Sequence, residues 1–373
     1  MLISSALSAR VWTDASGRTV EAEFLELLED RVRIKRIQDN RVFSLPLDQL
    51  SQRDRAWLAE KRNAAEDDAG ADGAVQFEGL DWPRRTRLPD DYDVEVVEED
   101  NKLGVYLYRT PNFEFRSEVK LARKVVREFG KIFEGTLAAM EAFPLDWKID
   151  RKDAHYQARL FEDTASYLKA GGLPNSAGLY LPSKREIYLP ISSLGLRQVS
   201  STYTFGASGD RSTLIHEITH QVHHDWLGSL FPWFVEGLAV YMESVPEDDG
   251  EFHFDDQDLF AYFRRFSPSG EITMVDPVRL ISLSHAEWTA NFSRNPAALL
   301  TYYQSAFLLT HYFLHLDGNE DGARIWSYIS RIERGEAEIS ARAVLFGTRS
   351  PAEFVEELRR AYDREGMDLV FVE

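Results

Sequence analysis

Two histidines four residues apart are the part of this chain best suited to chemistry. His216 and His220 enclose Glu217 in the segment HEITH. On an α-helix, residues four apart lie on one face, so both imidazoles can bind the same metal ion. Glu217 lies beside them, where a carboxylate can take a proton from a water molecule on that ion. The pattern predicts a metal site on a helix, suited to hydrolysis.

A third ligand is predicted on a second helix. The first helix is expected to run from near Asp210 to Gly228, and a turn then leads into the segment WFVEGLAVYME at residues 233–243. Because a helix rises about 1.5 Å per residue, an antiparallel return brings Glu236 back toward His220. A fourth position is left for water. The predicted metal ligands are His216, His220 and Glu236.

Other candidate ligands near these helices leave alternatives open. His223 and His224 are expected to continue the first helix, which puts His224 about 12 Å along the axis from His216, too far for the same ion. Both are expected to flank the cleft or to face solvent. Glu243 shares a helical face with Glu236. It either hydrogen-bonds a ligating histidine or is a solvated helix carboxylate.

Composition restricts the possible functions. The 373 residues are 44% apolar, enough for two or more domains and a sizeable core. A net charge of −19 argues against nucleic acid and anionic membranes as partners, because both attract basic surfaces. The absence of cysteine excludes disulfides, thiolate metal ligands and cysteine nucleophiles. No apolar run reaches about 18 residues, so no membrane span is expected.

The first nine residues are small and apolar. They resemble the trimmed end of a signal peptide, with Leu7-Ser8-Ala9 similar to a cleavage site, although a basic n-region and a full h-region are missing. The pattern is a weak signal of export to the periplasm or the cell exterior, and it leaves the compartment open.

Composition also divides the chain. Residues 62–76 are rich in Ala, Gly and Asp and have no periodic apolar face, which is typical of a linker. Before them, alternating apolar and polar residues predict a small antiparallel barrel, followed by a short helix from Ser51. Its strands are expected at residues 10–13, 19–28, 31–37 and 41–45. The predicted divisions are a barrel domain at 1–62, a linker at 63–80 and a larger domain at 81–373.

The larger domain is predicted to be α+β. Strand-like segments and an amphipathic helix from about Ser117 to Phe143 precede the metal helix. Residues 178–189 have the pattern of a hairpin just before that helix. The pattern after it is mainly helical.

The first domain resembles the Sla homology domain 1 family over roughly residues 10–60. Members are SH3-like modules of endocytic adaptors, and they are also common as N-terminal attachments in bacterial proteins. The resemblance implies an SH3-like β-barrel with a protein or peptide partner, and a spacer or surface-docking barrel is the alternative. It is carried by VWTD at 11–14, Gly17, VEAEF at 20–24, LPL at 45–47, Leu50-Ser51 and Asp54.

The two predicted metal helices resemble those of the gluzincin metallopeptidases, and the fuller pattern resembles the peptidase MA-like group of bacterial proteins. The resemblance covers roughly residues 90–340. It rests on HExxHQ from His216, WFxEGLAxYxE from Trp233 and YYQS from Tyr302. It implies a zincin-like fold, a zinc cofactor and hydrolysis of a peptide or protein substrate. Gluzincins often carry an acidic residue four after the glutamate ligand, where this chain has Val240, so that usual partner is missing or replaced.

The same resemblance implies roles for individual residues. Glu217 would be the general base, and a tyrosine would stabilise the oxyanion, with Tyr302 as first candidate and Tyr303 as second. A tyrosine in so aromatic a helix could equally be core. An edge strand of the 178–189 hairpin would pair with extended substrate, although a plain structural hairpin fits the pattern as well. Two further interpretations remain open: a catalytically degenerate metal-binding scaffold, and an adaptor acting through the N-terminal barrel.

Overall fold

The computed structural model describes residues 10–15, 18–27, 31–38, 41–58, 77, 79–88, 92–145, 147, 149, 154–174, 176–200, 202–205, 211–256, 262–263, 271–295, 298–336 and 338–372. By their internal contacts, residues 1–78 and 334–347 form one unit, and residues 79–333 and 348–373 form another. The sequence instead assigns residues 334–347 to the larger domain. Most of the predicted linker at 63–80 lies outside the described residues, so the domain boundaries stay a prediction.

The first unit contains a four-stranded antiparallel sheet in the order β1-β2-β3-β4. Val32 and Ile34 alternate along β3 with basic residues and are fully buried, so one face of the sheet forms a core. Helical residues 52–58 (α1) add Leu58 to that core. The prediction of N-terminal antiparallel strands is confirmed. The strands are Arg10–Thr13 (β1), Thr19–Leu27 (β2), Arg31–Arg36 (β3) and Val42–Pro46 (β4).

The second unit is built on a six-stranded mixed sheet in the order β5-β6-β7-β8-β10-β9. In this sheet β8 pairs in parallel with both β7 and β10, whereas β9 pairs with β10 in antiparallel fashion and ends the order. The strands are Glu95–Asp100 (β5), Val105–Arg109 (β6), Phe113–Ser117 (β7), Tyr156–Phe161 (β8), Leu179–Leu181 (β9) and Glu186–Pro190 (β10).

Helix α2, Arg123–Glu141, buries the apolar stripe that predicted it, including Val126 and Phe129. Its predicted start at Ser117 is wrong. Ser117 is the last residue of β7 and pairs with Leu160 of β8. It therefore belongs to the sheet, and the helix begins only at Arg123.

From residue 212 onward the second unit is mainly helical, as the pattern predicts. Besides α2, one helix lies between β8 and β9 and further helices follow the sheet. They are Thr164–Ala170 (α3), Ser212–Val222 (α4), Pro232–Ser244 (α5), Pro277–Ser282 (α6), His285–Arg294 (α7), Leu299–His311 (α8), Ala323–Glu333 (α9) and Pro351–Arg364 (α10). Three two-stranded ribbons accompany them: Leu196–Val199 (β11) with Thr202–Phe205 (β12), Glu247–Asp248 (β13) with Glu251–Phe252 (β14), and Glu271–Val275 (β15) with Asp368–Val372 (β16).

A glycine sets the spacing between α5 and α8. A Cβ built on Gly237 would collide with the Thr310 hydroxyl and with the carbonyl of Ala306. Only glycine therefore lets the two helix backbones approach this closely. Because Gly237 follows Glu236 directly, this close approach lies next to a predicted metal ligand.

The architecture is mixed α+β, with antiparallel strands at the N-terminus and a helical C-terminal part. In the part of the chain that the structure describes, every helix is too short or too polar to cross a membrane.

Candidate metal centre

Two helices bring the three predicted ligands together. His216 and His220 lie one turn apart on α4, and both are partly buried. Helix α5 begins at Pro232, which suits the first turn of a helix, and Glu236 follows about one turn later. The Nε2 atoms of the two histidines are 3.1 Å apart, and each lies 3.3 Å from Glu236 Oε2. These residues form a group that could hold a metal ion.

The charges within this group favour a cation. Burial raises the pKa of Glu236, but the two imidazoles outweigh it and hold that pKa well below its usual range. Burial lowers the pKa of His216, whereas the Glu236 and Glu243 carboxylates raise it well above the ordinary value. The carboxylates thus favour the protonated imidazole over the neutral one. Because metal binding needs a neutral imidazole, an arriving cation would replace that proton.

Glu243 holds His216 from the side opposite the ligand group. Its Oε2 atom lies 3.3 Å from His216 Nδ1, and the Tyr262 hydroxyl donates to its Oε1 atom at 2.9 Å. A carboxylate at Nδ1 fixes the tautomer that leaves Nε2 for a metal. Of the two interpretations of Glu243, the geometry favours the partner of a ligating histidine. Nothing in the sequence pattern pointed to Tyr262.

Glu217 projects from α4 toward the edge of the large sheet. Its Oε2 atom accepts a hydrogen bond of 2.6 Å from the backbone N–H of Tyr180, the central residue of β9. Just before β9, a Cβ on Gly178 would come within 2.5 Å of Leu189 Cδ2 and 3.6 Å of Glu217 Cγ. The close approach is to the tip of the Leu189 side chain, whereas the contact with Glu217 would be ordinary van der Waals packing.

The two candidate tyrosines of α8 have different surroundings. Tyr302 is 5% exposed and packs edge-to-face on Trp288, with ring centroids 5.5 Å apart. The Tyr303 ring lies 5.8 Å from the His216 ring. Burial and the charges of Glu236 and Glu217 raise the pKa of Tyr303, so its hydroxyl stays protonated. The contacts favour the second sequence candidate over the first.

The first metal helix ends earlier than the sequence predicts. Helix α4 stops at Val222, and residues 224–226 form a 3-10 turn, while Asp210 lies outside the described residues. His223 is 1% exposed, with its ring 4.3 Å from that of Trp147, and burial lowers its pKa to about 3. The expectation that it flanks the cleft or faces solvent is wrong, because Trp147 and Trp226 enclose the ring.

Residues 4–65 match the family model of SLA1 homology domain 1, SHD1. The chain has no significant match among curated proteins and none among solved structures. The likeness of the larger part of the chain to gluzincins stays a prediction. The predicted likeness of residues 10–60 to Sla homology domain 1 is confirmed, consistent with an SH3-like module at the N-terminus.

Proposed function

We propose that this chain is a zinc-dependent peptidase of the gluzincin type, with a zincin-like second unit. His216, His220 and Glu236 would hold the zinc ion, and Glu217 would be the general base. The observation that carries the proposal is the convergence of one oxygen and two nitrogen atoms, 3.1–3.3 Å apart, beside a fourth side chain able to accept a proton.

The three ligand atoms fit zinc in their chemistry and their separations. Atoms at tetrahedral positions about 2.05 Å from a zinc ion lie about 3.3 Å from one another. The two imidazoles and one carboxylate match the donor set of catalytic zinc sites, which keep a fourth position open. Among the described residues, Glu236 Oε2 is buried and has no hydrogen-bond donor of good geometry. A cation would satisfy that oxygen.

Glu217 is the residue best suited to move the proton. When bound, zinc would polarise a water molecule and lower its pKa toward about 7. Glu217 would take a proton from that water and later return it to the leaving amine. The amide of Tyr180, 2.6 Å from Glu217 Oε2, would keep the carboxylate oriented during both transfers.

The edge of the sheet suggests an extended peptide as substrate. Strand β9 is the last in its sheet, and its central residue lies against Glu217. An extended peptide can pair with such an edge through main-chain hydrogen bonds, with side-chain contacts adding selectivity. The segment predicted as a hairpin forms β9 and β10, which is the edge that this mode of binding needs.

A tyrosine hydroxyl would stabilise the negative charge that develops on the peptide oxygen, and we assign this role to Tyr303. Tyr303→Phe is expected to lower kcat by about 10- to 100-fold, because it removes one donor to that oxygen. Tyr302→Phe, the same change one residue earlier, should lower kcat by less than about threefold. Steady-state kinetics of the two zinc-loaded variants checks this assignment. A larger loss in Tyr302→Phe would return the role to Tyr302.

Metal removal tests the proposed function itself. Chelation of the full chain is expected to abolish hydrolysis of a mixed peptide library, and one equivalent of zinc should restore it. Magnesium should not, because imidazole ligands suit zinc and magnesium prefers oxygen donors. Hydrolysis that survives depletion of metal to trace level would contradict the proposal. A folded, zinc-loaded chain that hydrolyses nothing in the library would favour the metal-binding scaffold.

A second function, docking to a protein, is favoured by the family match at residues 4–65. An SH3-like module attached to a peptidase could hold the enzyme near its substrate or on a partner protein. This role is compatible with the first, because the match does not extend to the residues of the candidate metal centre.

A further inference from the structure

Strand β9 needs support beyond its own sheet pairing. It has only three residues, paired with β10 on one side, and it ends the sheet order. Short edge strands are among the first elements to open locally. Yet the N–H of Tyr180, in the middle of this strand, donates to Glu217 Oε2 at 2.6 Å. The position of the carboxylate therefore depends on what holds the strand.

Tyr180 contacts the same stretch of chain at a second point. Its hydroxyl oxygen is hydrogen-bonded to His224 Nδ1 at 2.7 Å, and the two rings meet edge-to-face with centroids 6.0 Å apart. His224 begins the 3-10 turn that follows α4. Tyr180 is thus hydrogen-bonded twice to the same stretch of chain. Its backbone N–H bonds Glu217 on the metal helix, and its hydroxyl bonds His224, seven residues later.

The turn between β9 and β10 is tied to this stretch as well. Gln221 Nε2 donates to the carbonyl oxygens of Arg185 at 3.1 Å and of Gln157 at 2.8 Å. Arg185 has a positive φ of 56°, unfavourable for a residue with a Cβ, so the bond to its carbonyl holds a strained turn. Arg185 Nη1 also lies 3.5 Å from Asp225 Oδ1. These interactions hold the turn between β9 and β10 in place. The strand β9 itself is held to this stretch of chain by the hydrogen bond between Tyr180 and His224.

We propose that Tyr180 and His224 are positioning residues that clamp β9 to the end of the metal helix and thereby hold Glu217 in place. This rests on the proposed role of Glu217 as general base. His224 acts through Tyr180. Because an extended substrate would pair with β9, the clamp also sets the distance between the bound peptide and the base.

Amide hydrogen exchange of the zinc-loaded full chain tests the clamp without relying on turnover. Tyr180→Phe and His224→Ala should each speed exchange in the segment at residues 179–181 by about fivefold, the effect of losing one hydrogen bond. The double variant should show no further increase, because both changes break the same bond. His224→Asn keeps a polar group near the position of Nδ1 and should retain slow exchange.

The variants that speed hydrogen exchange at residues 179–181 should also lower the rate of peptide hydrolysis. Tyr180→Phe and His224→Ala should lower kcat by about fivefold with the zinc content unchanged, and His224→Asn should recover most of it. Tyr188→Phe is the matched control. It also removes a tyrosine hydroxyl, but this hydroxyl lies on the neighbouring strand β10 and accepts a hydrogen bond from Lys184, not from His224. Unchanged exchange in Tyr180→Phe, or an equal effect in Tyr188→Phe, would overturn the clamp. If zinc-loaded wild type showed no turnover, the proposed function would fail, and exchange would still decide the clamp.

Discussion

Glu217→Gln is expected to keep zinc and to lose peptide hydrolysis by at least ~100-fold. Glutamine has nearly the shape of glutamate, and its side-chain oxygen can still accept the N–H of Tyr180, which bonds Glu217 Oε2 at 2.6 Å. Glutamine cannot take a proton from water at neutral pH. Only the proton transfer is removed, because the three ligand atoms belong to other residues. Elemental analysis and kcat on a cleaved library peptide measure the two outcomes.

Glu186→Gln provides the matched control for this variant. Glu186 lies on β10, where it pairs with Leu181 of β9. Its substitution is the same chemical change, made close to the site but outside the ligand group. Its turnover should stay within about twofold of wild type, as for most surface changes. Equal turnover by Glu217→Gln and wild type would show that Glu217 is not the base.

Loss of one ligand should release the metal. His216→Ala and Glu236→Ala are each expected to reduce zinc from about one ion per chain to a trace, with an affinity at least about 100-fold weaker. Substitution of a residue that only hydrogen-bonds a ligand lowers metal affinity by about 10- to 100-fold. The loss of a ligand itself should lower it further. Zinc content after purification without added metal, and competition with a chelator, give the two quantities.

His285→Ala is the control for the ligand variants. His285 is exposed and bonds the carbonyl of Leu227 at 3.1 Å, away from the ligand group. This variant should bind zinc like wild type. Unchanged stoichiometry in both His216→Ala and Glu236→Ala would refute the ligand assignment, whatever the turnover.

The ligand group could be predicted because its geometry is local. Four residues of helix bring His216 beside His220, and the connection through residues 223–231 returns Glu236 to the same level. The first relation depends on helix geometry alone, and the second also needs α5 to pack against α4. The alternation of apolar residues likewise predicted the strands of the first unit, since alternate residues such as Val32 and Ile34 of β3 are buried and those between them are partly exposed.

Features that depend on tertiary packing could not be predicted in the same way. Choosing between Tyr302 and Tyr303 requires the rotation of α8 about its axis, which the close approach at Gly237 helps to set. The end of α4 at Val222 comes before the glycine that the sequence offered as a stop. His223 caps that end of the helix and packs between two tryptophans. The first outcome depends on the packing of α5 against α8, and the second involves Trp147, which is far from His223 in sequence.

The most direct test of the central claim is anomalous diffraction at the zinc absorption edge from crystals of the full chain grown with one equivalent of zinc. We expect one strong anomalous peak, within about 2.2 Å of His216 Nε2, His220 Nε2 and a Glu236 carboxylate oxygen. The peak should be absent from crystals of Glu236→Ala. A zinc peak bound elsewhere, or a site that lacks Glu236 as a ligand, would contradict the assignment.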